Sequence, residues 1–150
     1  MKSCCNIDKF LTSKNIAIAG VSTSGKKFGN TVFKLMKKNG YKLYIIHPFT
    51  NSIDNEPCFK NITEIKYKID GFLCVLPQKD VYFSVKQAVE AGIENIWIQQ
   101  GSETKETLEY LSDKNINVIT GKCIIMYLPK KEFPHRIHAG LWKFFGLYNN

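Results

Sequence analysis

The chain has 150 residues, 44% hydrophobic and 23% charged, which predicts one ordinary globular domain burying about 70% of its unfolded surface. No apolar run approaches the ~18 residues of a membrane span, and neither a secretory core nor a myristoylatable glycine opens the chain, so a cytoplasmic protein is expected. The formal net charge of +8 rests on 20 lysines and the single Arg136, which speaks against a nucleic-acid reader built on bidentate arginine contacts.

The first twelve residues form a leading segment, where Ile7, Phe10 and Leu11 fall at helical spacing. Residues 15–20 read as a short buried strand. A helix follows over 28–39, with Val32, Phe33, Leu35 and Met36 on one face and Gly40 as its stop. Residues 42–46 form a second strand, closed by His47-Pro48. A longer connection over 49–66 carries Pro57 and a helical turn near Ile62.

The third strand, 71–76, ends at Pro77, and a helix over 80–91 stops at Gly92. The fourth strand covers 95–98, Ser102 opens a helix over 103–113, and the fifth strand covers 116–119. Strand and helix alternate throughout, so the fold class is α/β, a doubly wound parallel five-stranded sheet. The domain runs over 13–126, and a basic, aromatic tail over 127–150 carries Ile137, Leu141, Phe144, Phe145 and Tyr148 on one side of a predicted helix. That face must be buried, on the domain itself or in a homodimer seam rather than in lipid, because few cations flank it.

Charge is segregated along the chain. Residues 9–53 hold eight lysines and no acid, while the remaining residues balance 13 basic against 13 acidic side chains. Within that stretch lies the loop Gly20-Val21-Ser22-Thr23-Ser24-Gly25-Lys26-Lys27-Phe28-Gly29, between an apolar run and a helical pattern. Small residues let backbone N–H groups approach an anion, and the helix behind points its positive end at the same spot. The unit is therefore read as a phosphate cradle, over the plainer alternative that any strand-to-helix turn needs small residues.

An NAD fingerprint requires GxGxxG and an acid about 20 residues further on for the ribose. Here Ser22 replaces the second glycine, and the second strand ends in His47-Pro48 with no acid nearby. A ligand with an extra phosphate near the ribose, as in coenzyme A or NADP, suits this rim better.

The run Gly20-Val21-Ser22, then Lys27-Phe28-Gly29-Asn30, Gly40-Tyr41 and Ile46-His47-Pro48, resembles the small stand-alone CoA-binding domain proteins. These share the Rossmann-like domain at the front of succinyl-CoA synthetase alpha subunits. The likeness continues through Pro77, Ala91-Gly92, Trp97-Ile98-Gln99 and Gly121-Lys122-Cys123. It implies a CoA pyrophosphate at the loop from Gly20 to Gly25, an adenosine end near His47-Pro48, and a pantetheine arm passing Leu76-Pro77 towards Gln99. The chain departs from many relatives at Leu76, where they carry Arg, and at Gly121-Lys122, where they carry Asp-Arg.

Other features have plainer readings. His47 either caps the strand corner or touches ligand, and Trp97 is a core residue. The five cysteines show no CxxC spacing and read as reduced thiols, Cys123 included. His135 and His138 lack a convergent partner for a metal, so none is expected. No catalytic constellation is present. The expected function is binding of coenzyme A or an acyl-CoA by a non-catalytic carrier, sensor or partner subunit. The alternatives are an NADP-binding, oxidoreductase-like module and a basic protein that binds RNA or anionic lipid.

Overall fold

The computed structural model describes residues 2–129 of the chain. The expected tail helix, with His135 and His138 and any dimer seam it would form, lies outside the described residues. Four helices, α1 (Lys2–Leu11), α2 (Phe28–Lys38), α3 (Gln78–Glu90) and α4 (Lys105–Leu111), accompany seven strands. The strands are β1 (Asn15–Ala19), β2 (Lys42–Ile46), β3 (Ser52–Ile53), β4 (Glu56–Phe59), β5 (Gly71–Cys74), β6 (Asn95–Gln99) and β7 (Asn117–Lys122). They form one sheet in the order β3-β4-β2-β1-β5-β6-β7.

The five expected strands all form, but the sheet has seven. The extra pair is a hairpin inside the connection over 49–66. Its strands run antiparallel, Ser52 opposite Pro57 and Ile53 opposite Glu56. Asp54 (φ 50°) and Asn55 (φ 65°) make the two-residue turn in the left-handed region that tight hairpins require. β4 then extends the sheet by pairing in parallel with β2, Cys58 beside Ile45 and Phe59 beside Ile46. Every other neighbouring pair is parallel. Both added strands are too short for an alternating pattern to be visible in the sequence.

Helix boundaries also shift in ways that local chemistry explains. Thr104, not Ser102, caps α4, its Oγ1 accepting from the Thr107 amide at 3.2 Å. α3 begins at Gln78, immediately behind Pro77, whose fixed φ suits a helix start.

Strands buried on both faces read as continuous apolar runs, and Ile16 to Ala19 and Phe72 to Cys74 are all buried. On one face α1, α2 and the turn at Ile124–Tyr127 enclose Phe10, Val32, Met36, Leu73 and Trp97. On the other, α3 and α4 cover Phe72, Val85, Ile96 and Ile98. Trp97 is a core residue, as expected. It is fully buried, meets the edge of Phe10 at 5.4 Å and donates its indole N–H to the Lys122 carbonyl at 3.1 Å.

The leading helix is pinned beneath β6 and β7. Asn95 Nδ2 donates to Ser13 Oγ at 2.9 Å, and Asn117 Nδ2 donates to the Asn6 carbonyl at 2.8 Å. Asp70 ties β5 to β1 by accepting from the Lys14 and Asn15 amides at 3.2 and 2.9 Å. Those bonds hold its carboxyl below the ordinary value of 3.8.

Strand order decides where a ligand can sit. From β1 the chain moves outward to β2 and the hairpin, then returns to β5 on the other side of β1. The reversal opens a crevice at the carboxyl ends of β1 and β5. Among the described residues, no helix is long and apolar enough to cross a membrane.

Candidate functional site

The loop after β1 is shaped by two glycines in contact. Gly20 sits at φ +116°, and a Cβ there would lie 2.2 Å from the Val75 carbonyl oxygen. A Cβ on Gly29, in the first turn of α2, would lie 2.1 Å from the Gly20 carbonyl oxygen. Only hydrogen fits at both positions, so α2 closes directly onto the end of β1.

Asn30 clamps the loop from the same helix. Its Oδ1 accepts from the Ser22 amide at 3.1 Å, and its Nδ2 donates to the Ser22 carbonyl at 2.7 Å. Ser22 Oγ accepts from the Ser24 amide, Ser24 Oγ from the Lys26 amide, and the Ser22 carbonyl from the Gly25 amide. The amides of Ser22, Ser24, Gly25 and Lys26 are thus engaged inside the loop. Among the described residues, those of Val21, Thr23 and Gly29 have no internal partner. The anion nest is therefore narrower than the glycine pattern implies, and its open donors face the start of α2.

That helix start is electrostatically open. Lys27 occupies the N-cap position without a side-chain hydrogen bond, and the first turn holds no acid. Serine, threonine or aspartate would normally satisfy the first amides there. A lysine leaves the positive end of the helix unopposed and adds a cation, a combination that favours a bound anion.

Above this loop lies a cleft of about 1080 Å³, which fits a long nucleotide-sized ligand. The structure brings together most of the expected residues. Gly20, Val21, Ser22, Thr23, Lys27, Phe28 and Gly29 line it from the loop, His47 and Pro48 from the corner after β2, and Leu76 and Pro77 from the end of β5. Ser24, Gly25 and Lys26 form the outer turn of the loop and do not line the cleft. Gln99 is fully buried at the end of β6, and its Oε1 accepts from the Ile124 amide at 3.2 Å. Its Nε2 has no partner among the described residues, but the side chain does not line the cleft.

His47 serves its corner. Its amide donates to the Phe59 carbonyl at 2.8 Å, and its Nδ1 accepts from the Phe49 amide at 3.2 Å. The bend throws Phe49 outward, 90% exposed, onto the cleft wall. Phe83 of α3, 72% exposed, stands on the same cleft, as do Lys60 after β4 and Lys79 of α3. Sequence reasoning missed these four. Helical spacing could have placed Phe83 and Lys79 on the cleft side of α3, whereas Lys60 reaches it only through the unrecognised hairpin.

Two of the thiols are closed off by burial. Complete burial pushes the Cys74 thiol from 9.0 up to about 12. Cys123 is buried beside Ile124 in the core. A smaller hollow of about 410 Å³ lies at the far end of α2, by Phe33 and Tyr41. Its Lys37 is paired with Glu56, and the open helix start lies at the other end of α2.

The chain matches the family model described as the CoA binding domain over residues 14–129. It is 26% identical over 129 residues to the alpha subunit of the ADP-forming acetate–CoA ligase II of Pyrococcus furiosus, covering 79% of this chain and 28% of that one. The chain thus spans well under half of that longer relative. Over 112 residues it is 25% identical to YneT, an uncharacterized protein of Bacillus subtilis, covering 75% of this chain and 83% of that one. A conserved hypothetical protein of Pyrococcus furiosus superposes with a TM-score of 0.72 at 28% identity, covering 76% of this chain and 98% of its own. With the family match running from just before β1 to the last described residue, the chain belongs to the CoA binding domain family.

Proposed function

We propose that the protein binds coenzyme A or an acyl-CoA in the cleft at the strand reversal and acts as a non-catalytic carrier, sensor or partner subunit. The observation that carries this reading is the unopposed amino end of α2, held against Gly20 by Gly29 and capped only by Lys27. A pyrophosphate laid there meets backbone donors, the helix dipole and a cation together. Val75, Leu76 and Pro77 continue the cleft along a largely apolar wall that suits a pantetheine arm. The cleft-facing side of α3 offers Ser84 and Gln87, which are suited to hydrogen bonding rather than to acyl transfer.

Relatives fit the same reading. The Pyrococcus furiosus ligase subunit is named for joining acetate to CoA, and this chain corresponds to 28% of it. A fragment of that size is consistent with a binding module working alongside catalytic parts carried elsewhere.

Titration calorimetry with CoA, acetyl-CoA, NAD and NADP tests the proposal. Saturable binding of CoA or acetyl-CoA with little for NAD is the expected result. Binding of NADP with none of CoA would transfer the site to a nicotinamide module.

A further inference from the structure

Three lysines on three separate elements line the cleft: Lys27 before α2, Lys60 after β4 and Lys79 in the first turn of α3. Among the described residues, none of them forms a salt bridge. Lys27 is accounted for by the phosphate loop. Lys79 is followed directly by Asp80, which also lines the cleft and offsets its charge.

Lys60 stands apart. It follows β4 directly, and β2 separates it from the loop that ends β1, because the strand order there is β4-β2-β1. The register sets Phe59 beside Ile46 and Ile46 beside Ala19, so two interstrand steps of about 10 Å in all separate Lys60 from the end of β1, and a lysine arm spans much of that gap. The two acids nearest in the chain are both engaged elsewhere: Glu56 is paired with Lys37, and Glu64 is turned to cap the following turn, its Oε1 accepting from the Asn61 amide at 3.2 Å. Beside Lys60 the bend at His47 presents Phe49, almost wholly exposed, on the same cleft. A bare aromatic face beside an unpaired cation suits a flat base next to a phosphate.

We propose that Lys60 is a specificity-determining residue that binds a second phosphate, one carried on the ribose of an adenosine nucleotide, with Phe49 against the base. The inference rests on the cleft reading above and adds a discrimination that the glycine loop cannot make. A loop that holds only a pyrophosphate treats nucleotides with and without the ribose phosphate alike.

Calorimetry on the full chain compares CoA with 3′-dephospho-CoA, and NADP with NAD, for the wild type, Lys60→Glu and Lys79→Glu. The first ligand pair reads a 3′-phosphate and the second a 2′-phosphate. The expected result is a preference of about fivefold for CoA over dephospho-CoA, shrinking as salt rises. Lys60→Glu abolishes that preference and leaves dephospho-CoA affinity within about twofold, while Lys79→Glu keeps the preference. Lys60 is exposed, so the fold tolerates the change, and Lys60→Arg should retain discrimination. Equal wild-type affinity for CoA and dephospho-CoA, or equal losses in Lys60→Glu, would overturn the assignment of Lys60 and leave the cleft reading standing. Binding of neither ligand would overturn both.

Discussion

Gly29 packs so closely on Gly20 that a methyl group on Gly29 would stand 2.1 Å from the Gly20 carbonyl oxygen. The obstacle is backbone, which cannot swing aside as a side chain can. Elsewhere in a helix, Gly→Ala gains up to about 1 kcal/mol, but here the clash outweighs that gain. Gly29→Ala should destabilise by about 1–3 kcal/mol and push α2 off the loop. Gly20→Ala should cost more, since φ +116° adds strain to its own 2.2 Å clash with Val75. Gly25, at φ +69° with open space around it, is the control, and its alanine variant should lose only about 1 kcal/mol. Urea unfolding midpoints rank the three, and a Gly29→Ala protein as stable as wild type would contradict this packing.

Asn30 sets the loop's shape through its two bonds to Ser22. Asn30→Ala leaves the part-buried Ser22 amide unpaired, while the Ser22 carbonyl keeps its bond from the Gly25 amide, and should cost about 1–3 kcal/mol. Asn30→Asp keeps the acceptor but places a carboxylate where an anion is expected to bind. CoA affinity of the aspartate variant should fall about tenfold, more than its stability loss explains. Unchanged affinity would mean that no phosphate rests against this turn.

The two loop lysines are not equivalent. Lys27 lines the cleft, and Lys26 lies on the outer turn. Lys27→Glu should weaken CoA binding about tenfold, Lys26→Glu by about twofold or less, and the double variant should resemble Lys27→Glu. Both lysines are exposed, so thermal midpoints should barely move. Equal effects at the two positions would indicate a diffuse field rather than a seated phosphate.

Cys74 makes the protein sensitive to alkali. Its thiol, wholly buried, is held up at about 12 against 9.0 when freely solvated. Above pH 9 the unfolded chain releases this proton while the folded chain keeps it, so stability falls as pH rises towards 12. The slope for one such group approaches about 1.4 kcal/mol per pH unit. Burial also raises Tyr41 and Cys58, which act in the same direction. Cys74→Ala should therefore flatten the alkaline decline without removing it. Denaturant unfolding between pH 8 and pH 11 checks this, and an unchanged slope would show that Cys74 ionises freely in the folded protein.

Much of the fold was legible because its rules are local. Ile16 to Ala19 and Gly71 to Cys74 are short unbroken apolar runs between turn residues, and Gly40 and Gly92 take the positive φ that stops a helix. The hairpin at Ser52–Ile53 and Glu56–Phe59 escaped notice because two- and four-residue strands carry no periodicity, and a proline such as Pro57 is disfavoured within a strand. Its one local signal was Asp54-Asn55, a pair suited to a two-residue turn.

The cleft divides along the same line. Chain order and residue type suffice to say that a lysine-rich, acid-free unit opens this domain and that its glycine loop precedes a helix, since both are properties of neighbours in sequence. Whether Ser22, Ser24, Gly25 and Lys26 have amides to spare, whether Gln99 faces a ligand or the Ile124 amide, and how close Lys60 comes to Lys27 depend on strand order and packing. Those contacts join residues far apart along the chain. Hydrogen-bond closure and side-chain burial settle them only once the sheet has assembled.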